Sequence, residues 1–126
     1  MAIELAPSQI GQIAFTVDDV ERAVAFYRDK VGLKHLFSAP PAMAFFGCEG
    51  VRLMLSKPEK ADGERFKGAV YFKVPDIQAA RDALVARGVQ FEAEPRMIAK
   101  MPDHELWMGF FRDPDQNLLA LMSEKR

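Results

Sequence analysis

The sequence predicts an α+β protein made of two tandem βαβββ modules, and two observations carry this prediction. First, the stretch that begins at Gly11, GQIAFTVDDVERAVAFYRDKVGL, returns in altered form at Gly68 as GAVYFKVPDIQAARDALVARGV. Second, each copy begins with the period of a strand and continues with apolar residues at the spacing of a helix. A unit of about 55 residues is marginally stable alone, which explains why two are joined.

The first strand and helix of each copy follow from these periods. Asp18 with Glu21 predicts a capping pair at the first helix, and Asp76 predicts the N-cap of the second. Gly32 and Gly88 stand where the two helices end. The strand faces are Ile13, Phe15 and Val17, then Val70, Phe72 and Val74; the helix stripes are Val20, Ala23, Val24, Tyr27 and Val31, then Ile77, Ala80 and Leu84.

Three further strands are predicted in each half, separated by turn residues. In the first half they are KHLFSA, MAFFGC and VRLMLS, with turns at Pro40-Pro41 and CEG; in the second they are VQFEAE, ELWMGFF and NLLALM, with the turn DPDQ. The modules then span about residues 9–57 and 67–123, joined by a charged linker at 57–67 within a single domain.

Composition limits the partners and the compartment. The net charge is −1 and Lys and Arg form no run, so nucleic acid and anionic membrane are poor candidates. The one cysteine, Cys48, makes no internal disulfide, which favours a reducing cytoplasm, and it is interpreted as a small apolar residue. The start, MAIELAPSQ, lacks the pattern of a signal peptide, and nothing has the length of a membrane span.

The stretches FTVDDVERAVAFYRDKVGL and FFRDPDQNLLALM resemble the glyoxalase/bleomycin-resistance/extradiol dioxygenase group, the vicinal oxygen chelate superfamily. The second stretch is similar to the family's DPDGN turn, with Gln116 in place of the glycine. The resemblance covers nearly the whole chain. It implies paired βαβββ modules whose mixed sheet curls around a cup, with the helices outside. It also implies a homodimer, in which the modules pair within a chain or across the subunits.

Members of the family that use a metal bind it through His or Gln on the first strand of a module and Glu on the last. Carried over by position, these ligand sites fall on Gln12, Met54, Ala69 and Ala120. Only Gln12 offers an oxygen, and a catalytic zinc needs about three protein ligands. We therefore expect no cofactor, unless a divalent metal binds at an atypical site that includes Gln12.

The strand faces opposite the apolar ones are expected to line the cup. They carry small, soft and polar residues with two cations and a phenol, as small-molecule sites do. Arg52 and Lys73 favour an anionic group, or else lie near strand ends and reach water. Tyr71 is a hydrogen-bond or proton donor, or a packed tyrosine. The predicted ligand-binding residues are Gln12, Arg52, Met54, Ala69, Tyr71, Lys73, Trp107 and Ala120.

The segment MPDHELWMGFF adds His104 and Glu105 as candidate catalytic residues beside Tyr71. If His104 and Glu105 lie on a strand, their side chains point to opposite faces. If the strand begins only at Leu106, both lie in a loop and can converge as an acid–base pair or an atypical metal site. The alternative is a loop at the rim with Trp107 packed. His35 is predicted at the surface of an edge strand.

Three functions remain open from the sequence. The first is a metal-free member of the superfamily that binds a small, partly apolar, anionic molecule. The second is a glyoxalase-like lyase or isomerase, or a dioxygenase, with an atypical or metal-free site. The third is an interaction domain with a filled cup.

Overall fold

The computed structural model describes residues 10–39, 42–58, 60 and 63–126. Each half runs strand, helix and three strands, so the predicted pair of βαβββ modules is confirmed. The first half contains β1 (Gln12–Thr16), α1 (Val20–Val24) with a π-helical continuation (Ala25–Val31), β2 (Lys34–Ala39), β3 (Met43–Cys48) and β4 (Val51–Ser56). The second contains β5 (Ala69–Lys73), α2 (Ile77–Ala86), β6 (Arg96–Lys100), β7 (Glu105–Arg112) and β8 (Leu118–Lys125).

The eight strands form two mixed sheets of four. Sheet 1 has the order β1-β4-β3-β2 and sheet 2 the order β5-β8-β7-β6. The first and last strands of each module, β1 with β4 and β5 with β8, are parallel, and the other pairs are antiparallel. The α+β class is confirmed. The sheets remain two separate, open sheets, and neither closes around a cup by itself.

The first helix begins one residue later than the capping pair predicts. Asp19, not Asp18, is the N-cap: its backbone is extended and its carboxylate accepts a hydrogen bond from Arg22 N at 3.0 Å. Asp18 instead binds the Arg65 guanidinium at 2.7 Å. At the second helix Asp76 accepts from Ala79 N at 3.1 Å, as predicted.

The first helix changes geometry after Val24. The π-helical turns hold more residues than α-helical turns, so Phe26 and Tyr27, which are adjacent in sequence, are both buried. The segment ends at Gly32, whose φ of 90° is the left-handed conformation that glycine adopts without strain. All five residues of the predicted stripe face the core, through Val31, but the second half of the stripe lies on π-helical turns rather than on an α-helix.

The sixth strand lies later in the chain than predicted. Residues 89–94 form a loop, because Val89 N closes the end of α2 by donating to Leu84 O. In this loop Phe91 makes a single bridge to Phe111. Regular pairing with β7 begins only after Pro95, at Arg96.

The two modules share one apolar core and a polar junction. The buried Tyr27 hydroxyl donates to Asp113 Oδ2 at 2.7 Å, and Asn117 Nδ2 donates to Thr16 O at 3.2 Å. Gln116 in the same turn has a φ of 69°, a left-handed backbone that is mildly strained for a residue other than glycine. The turn between β7 and β8 thus ties module 2 to module 1.

Part of the predicted linker is fastened to β1. Thr16 N donates to Phe66 O at 3.1 Å, and Phe66 N donates to Thr16 Oγ1 at 2.6 Å. The predicted turn at Pro40-Pro41, the N-terminal segment 1–9 and linker positions 59, 61 and 62 lie outside the described residues. Among the helices that are described, none has the length and apolarity needed to cross a membrane.

Candidate functional site

Each sheet has one face packed in the core and one open face, and the predicted ligand residues lie mainly on the open faces. On sheet 1, Gln12 pairs with Arg52 across β1 and β4, and Ala14 pairs with Met54. Arg52 Nε donates to Gln12 Oε1 at 2.8 Å, and Gln12 Nε2 lies 3.7 Å from Met54 Sδ. The three predicted residues of this sheet therefore form one contiguous group.

Two aromatic rings that were not predicted from the sequence complete this face. Phe45 lies beside Met54 in the register of β3 with β4, and Phe37 stacks on Phe45 with ring centroids 4.5 Å apart. The Arg52 guanidinium carbon lies 5.0 Å from the centroid of Phe45. The face is therefore an apolar floor with one cation over it. The alternation of MAFFGC contained the signal, because Phe45 belongs to the face opposite Ala44 and Phe46; the latter two are fully covered by the core, and Phe45 is 8% exposed.

The metal implied by the fold family does not fit this donor set. The one oxygen at the carried-over positions, Gln12 Oε1, already accepts from a guanidinium, whose positive charge opposes a bound cation. Met54 offers a soft thioether, which suits copper(I) rather than hard divalent ions. Ala69 and Ala120 have no donor atom. Within the described ranges, no group of three or more His, Cys, Asp or Glu is placed to hold a metal ion.

The open face of sheet 2 carries the second group of predicted residues. Ala69 pairs with Leu118, Tyr71 with Ala120 and Lys73 with Met122. Tyr71 is 45% exposed, and its ring meets the edge of Phe110 at 6.1 Å. Lys73 Nζ lies 3.4 Å from Glu124 Oε2, so its charge is partly balanced within the sheet. Tyr71 and Arg52 are thus better placed than Lys73 to meet a ligand.

A cavity of about 280 Å³ lies on the same face of sheet 2, toward β6. Met108, Phe110 and Leu118 form its apolar part, and Arg96 and Arg112 are at its edge. Arg112 Nε lies 3.3 Å from Glu92 Oε1. These residues were not among those predicted from the sequence, although the alternation of β7 places Met108, Phe110 and Arg112 on one face.

The three candidates from MPDHELWMGFF do not converge. Strand β7 begins at Glu105, so His104 lies in the preceding loop, where its Nδ1 is 2.7 Å from Asp103 Oδ1. Glu105 Oε1 accepts from Trp107 Nε1 at 3.0 Å. Trp107 pairs with Ser123, on the face of sheet 2 opposite to Tyr71, and Lys125 Nζ lies 3.8 Å from its ring centroid. His104 and Glu105 therefore have different partners, and Trp107 is separated from the open face.

The two open-face groups lie on different sheets of the chain. Gln12, Arg52 and Met54 belong to sheet 1, whereas Ala69, Tyr71 and Ala120 belong to sheet 2. Across the part of the chain that the structure describes, no side-chain hydrogen bond links the two groups. A ligand that contacts both groups needs the two open faces to be brought opposite each other.

Comparisons with known proteins identify the fold and the family. Residues 9–121 match the family model described as Glyoxalase/Bleomycin resistance protein/Dioxygenase superfamily. The chain is 30% identical to the uncharacterized protein YraH of Bacillus subtilis (strain 168), with 87% of this chain and 94% of that protein covered. It is 27% identical to the uncharacterized protein YetH of the same strain, with 90% and 96% covered.

Solved structures are similar over nearly their whole length. The crystal structure of lactoylglutathione lyase from Agrobacterium tumefaciens superposes with a TM-score of 0.77 at 26% identity, covering 93% of this chain and 94% of that one. A member of the same superfamily from Sphaerobacter thermophilus superposes with a TM-score of 0.74 at 26% identity, covering 93% and 98%.

Proposed function

This chain belongs to the glyoxalase/bleomycin resistance protein/dioxygenase superfamily, and from that premise we propose that it binds a small, partly apolar, anionic molecule without the family's metal. The observation that carries the proposal is the contact between Gln12 Oε1 and Arg52 Nε at 2.8 Å. It occupies the one oxygen at the carried-over ligand positions and puts a fixed positive charge there. A site of this kind favours an anion.

The chemistry of the open faces supports the ligand class. Arg52 uses its Nε for Gln12, and its two Nη groups make no hydrogen bond with any residue that the structure describes. They are therefore free to bind a carboxylate in bidentate geometry, while the rings of Phe37 and Phe45 provide apolar contact. On sheet 2, Tyr71 adds a hydroxyl donor, whereas Arg112 at the neighbouring cavity is already bound by Glu92 and by Gln116 O.

A homodimer is part of the proposal, because each sheet has an uncovered face. Among the described strands, β1 and β5 each pair with one neighbour only, so each sheet has an edge strand beside its ligand group, and the edge of β1 is met at Thr16 by the backbone of Phe66. A second copy that places its sheet 2 opposite sheet 1 of the first would bring Arg52 and Tyr71 into one cup. The protein acts in this proposal on small molecules in a reducing cytoplasm, and neither nucleic acid nor membrane is its partner.

Binding is tested by isothermal titration with a set of aromatic and aliphatic carboxylates, each with its uncharged amide as the matched compound. We expect heat for at least one carboxylate and a loss of affinity of about tenfold or more with Arg52→Ala, since a hydrogen bond to a charged group contributes about 1.5–3 kcal/mol. Arg87→Ala, which removes an exposed cation at the end of α2, is the control. Equal affinity for acids and amides contradicts the proposal.

A lyase or isomerase activity, or dioxygenase activity, is the second candidate. The likeness to a lactoylglutathione lyase at 26% identity favours it. The assay follows turnover of lactoylglutathione, of hemithioacetals and of catechols, with Zn, Ni, Fe or Mn added in turn. Turnover that needs an added metal and is lost in Gln12→Ala would establish the enzyme. Turnover without metal that is lost in Tyr71→Phe would assign the reaction to the phenol.

A further inference from the structure

A second concave region lies on the opposite side of sheet 1 from the cup face, between the start of the first helix and β2. Its volume is about 650 Å³. Val20 and Val24 form an apolar part of its wall, and His35 and Ser38 contribute the two groups with nucleophilic or basic chemistry. The proposed binding function does not use this region.

A bulge in β2 brings His35 and Ser38 to one face. Residues three apart on a regular strand point to opposite faces. Here the register shifts between His35 and Phe37, so Leu36 is the extra residue. His35 consequently pairs with Phe46 and Ser38 with Ala44, and both of these partners are fully buried on the helix-facing side.

The two side chains form a close and oriented pair. His35 Nε2 lies 2.8 Å from Ser38 Oγ, within the range for a nucleophile and its base. The imidazole ring packs against Phe46 with ring centroids 5.3 Å apart, which restricts its rotation. Both residues are half-buried and both line the cavity, so an entering molecule can reach the hydroxyl.

We propose that Ser38 is a nucleophile activated by His35, and that the cavity takes small esters with a short apolar acyl group. Ser38 Oγ attacks the ester carbonyl and forms an Oγ–carbon bond, while its proton passes to His35 Nε2. The bond from carbon to the alcohol oxygen breaks, and the alcohol leaves with that proton. Water then attacks the acyl carbon while His35 Nε2 takes a proton from it. The Oγ–carbon bond breaks, the proton on His35 returns to Ser38 Oγ, and the carboxylic acid leaves.

The charges around the cavity favour a neutral acyl group beside a polar leaving group. Arg28 is held by Asp29 at 2.8 Å and Asp18 by Arg65 at 2.7 Å. Among the described residues, the carboxylates of Asp19 and Glu21 and the cation of Lys57 also line the cavity without an ion pair, so the lining favours a neutral ester over an acid. Val20 and Val24 give the acyl chain an apolar contact, and Lys57 lies at the cavity wall as a cation for the developing oxyanion.

The test uses a fluorophosphonate, which transfers its phosphonyl group to an activated serine with loss of fluoride. The labelled peptide is located by mass spectrometry, and hydrolysis of p-nitrophenyl acetate is followed in parallel. We expect label on Ser38 and a loss of hydrolysis of about 10²-fold in Ser38→Ala, the scale of general-base catalysis. His35→Gln keeps a hydrogen-bonding group at this position but takes no proton, so labelling of Ser38 should fall by a similar factor.

Ser123→Ala is the matched control, because it removes a serine hydroxyl from the other module and should leave both signals unchanged. Thermal unfolding of each variant verifies that it folds. Absence of label on Ser38 in the unmodified protein overturns the proposal, and that experiment needs no variant. Equal labelling of Ser38 in the unmodified protein and in His35→Gln also overturns it, because His35 is then not the base.

Discussion

The hydroxyl of Tyr27 offers a clear test of how the two modules are joined. Tyr27 is 0% exposed, and its hydroxyl donates to Asp113 Oδ2 at 2.7 Å. The same carboxylate accepts from the backbone N of Asp115, and from both the backbone N and the side-chain Nδ2 of Asn117, each at 2.8 Å. Tyr27→Phe therefore removes one of the four hydrogen bonds that this buried carboxylate accepts, and it leaves the ring in place.

The expected cost follows from this geometry. A hydrogen bond to a charged group contributes about 1.5–3 kcal/mol, and because three donors remain on Asp113 we expect about 2 kcal/mol. That is a large share of the roughly 5–15 kcal/mol by which a domain is stable. The contact joins residues of different modules, so its loss should lower the stability of the whole domain in a single transition.

Urea unfolding provides the measurement, with the free energy of unfolding extrapolated to water. Tyr71→Phe is the matched control, because Tyr71 is the other tyrosine of the chain and is 45% exposed. We expect the midpoint to fall in Tyr27→Phe with an unchanged slope, and to stay within error in Tyr71→Phe. The reasoning is refuted if the two variants lose the same amount.

Two further predictions concern pH and helix capping. Burial, and then the Asp113 carboxylate, raise the pKa of Tyr27, whereas an unfolded tyrosine titrates at about 10. The folded state thus keeps a proton that the unfolded state loses, so the contribution of Tyr27 to stability should be full below about pH 10 and should fall above it. In urea unfolding, the free energy of unfolding should fall less steeply above about pH 10 in Tyr27→Phe than in the unmodified protein. An equally steep fall in both proteins would contradict the assignment. Asp19→Ala should lower the free energy of unfolding in urea by about 1 kcal/mol, because the N-cap is lost. Asp18→Ala should lower it by less. If Asp18→Ala lowered it by more, Asp18 would be the cap.

Features that depend on neighbouring residues were predicted well from the sequence. The alternation in KHLFSA, MAFFGC and VRLMLS identified β2, β3 and β4 with the bounds observed. Asp76 was identified as an N-cap because its short carboxylate can accept from the first turn of a helix. Gly32 and Gly88 were identified as helix ends because glycine adopts the left-handed backbone found there. These features were recoverable because strand period, capping and left-handed φ are each decided within a few residues.

The misplaced elements depended on contacts from elsewhere in the chain. VQFEAE has the composition of a strand, but Val89 N donates its hydrogen bond to Leu84 O at the end of α2. Regular pairing with β7 therefore starts only at Arg96. The π-helical turns allow both Phe26 and Tyr27 to be buried. The Tyr27 hydroxyl then binds Asp113, which is 86 positions away in the sequence. No local pattern encodes such partners.

The sequence by itself determined the repeat, the resemblance to the family and which residues stand where that resemblance implies metal ligands. Only the tertiary structure decided what those residues do: Arg52 takes the oxygen of Gln12, Glu105 turns to Trp107, and one extra residue in β2 places His35 against Ser38. The physical reason is that residue type and period are local, whereas strand register decides which side chains share a face. A shift of one residue moves a side chain to the opposite face of its sheet.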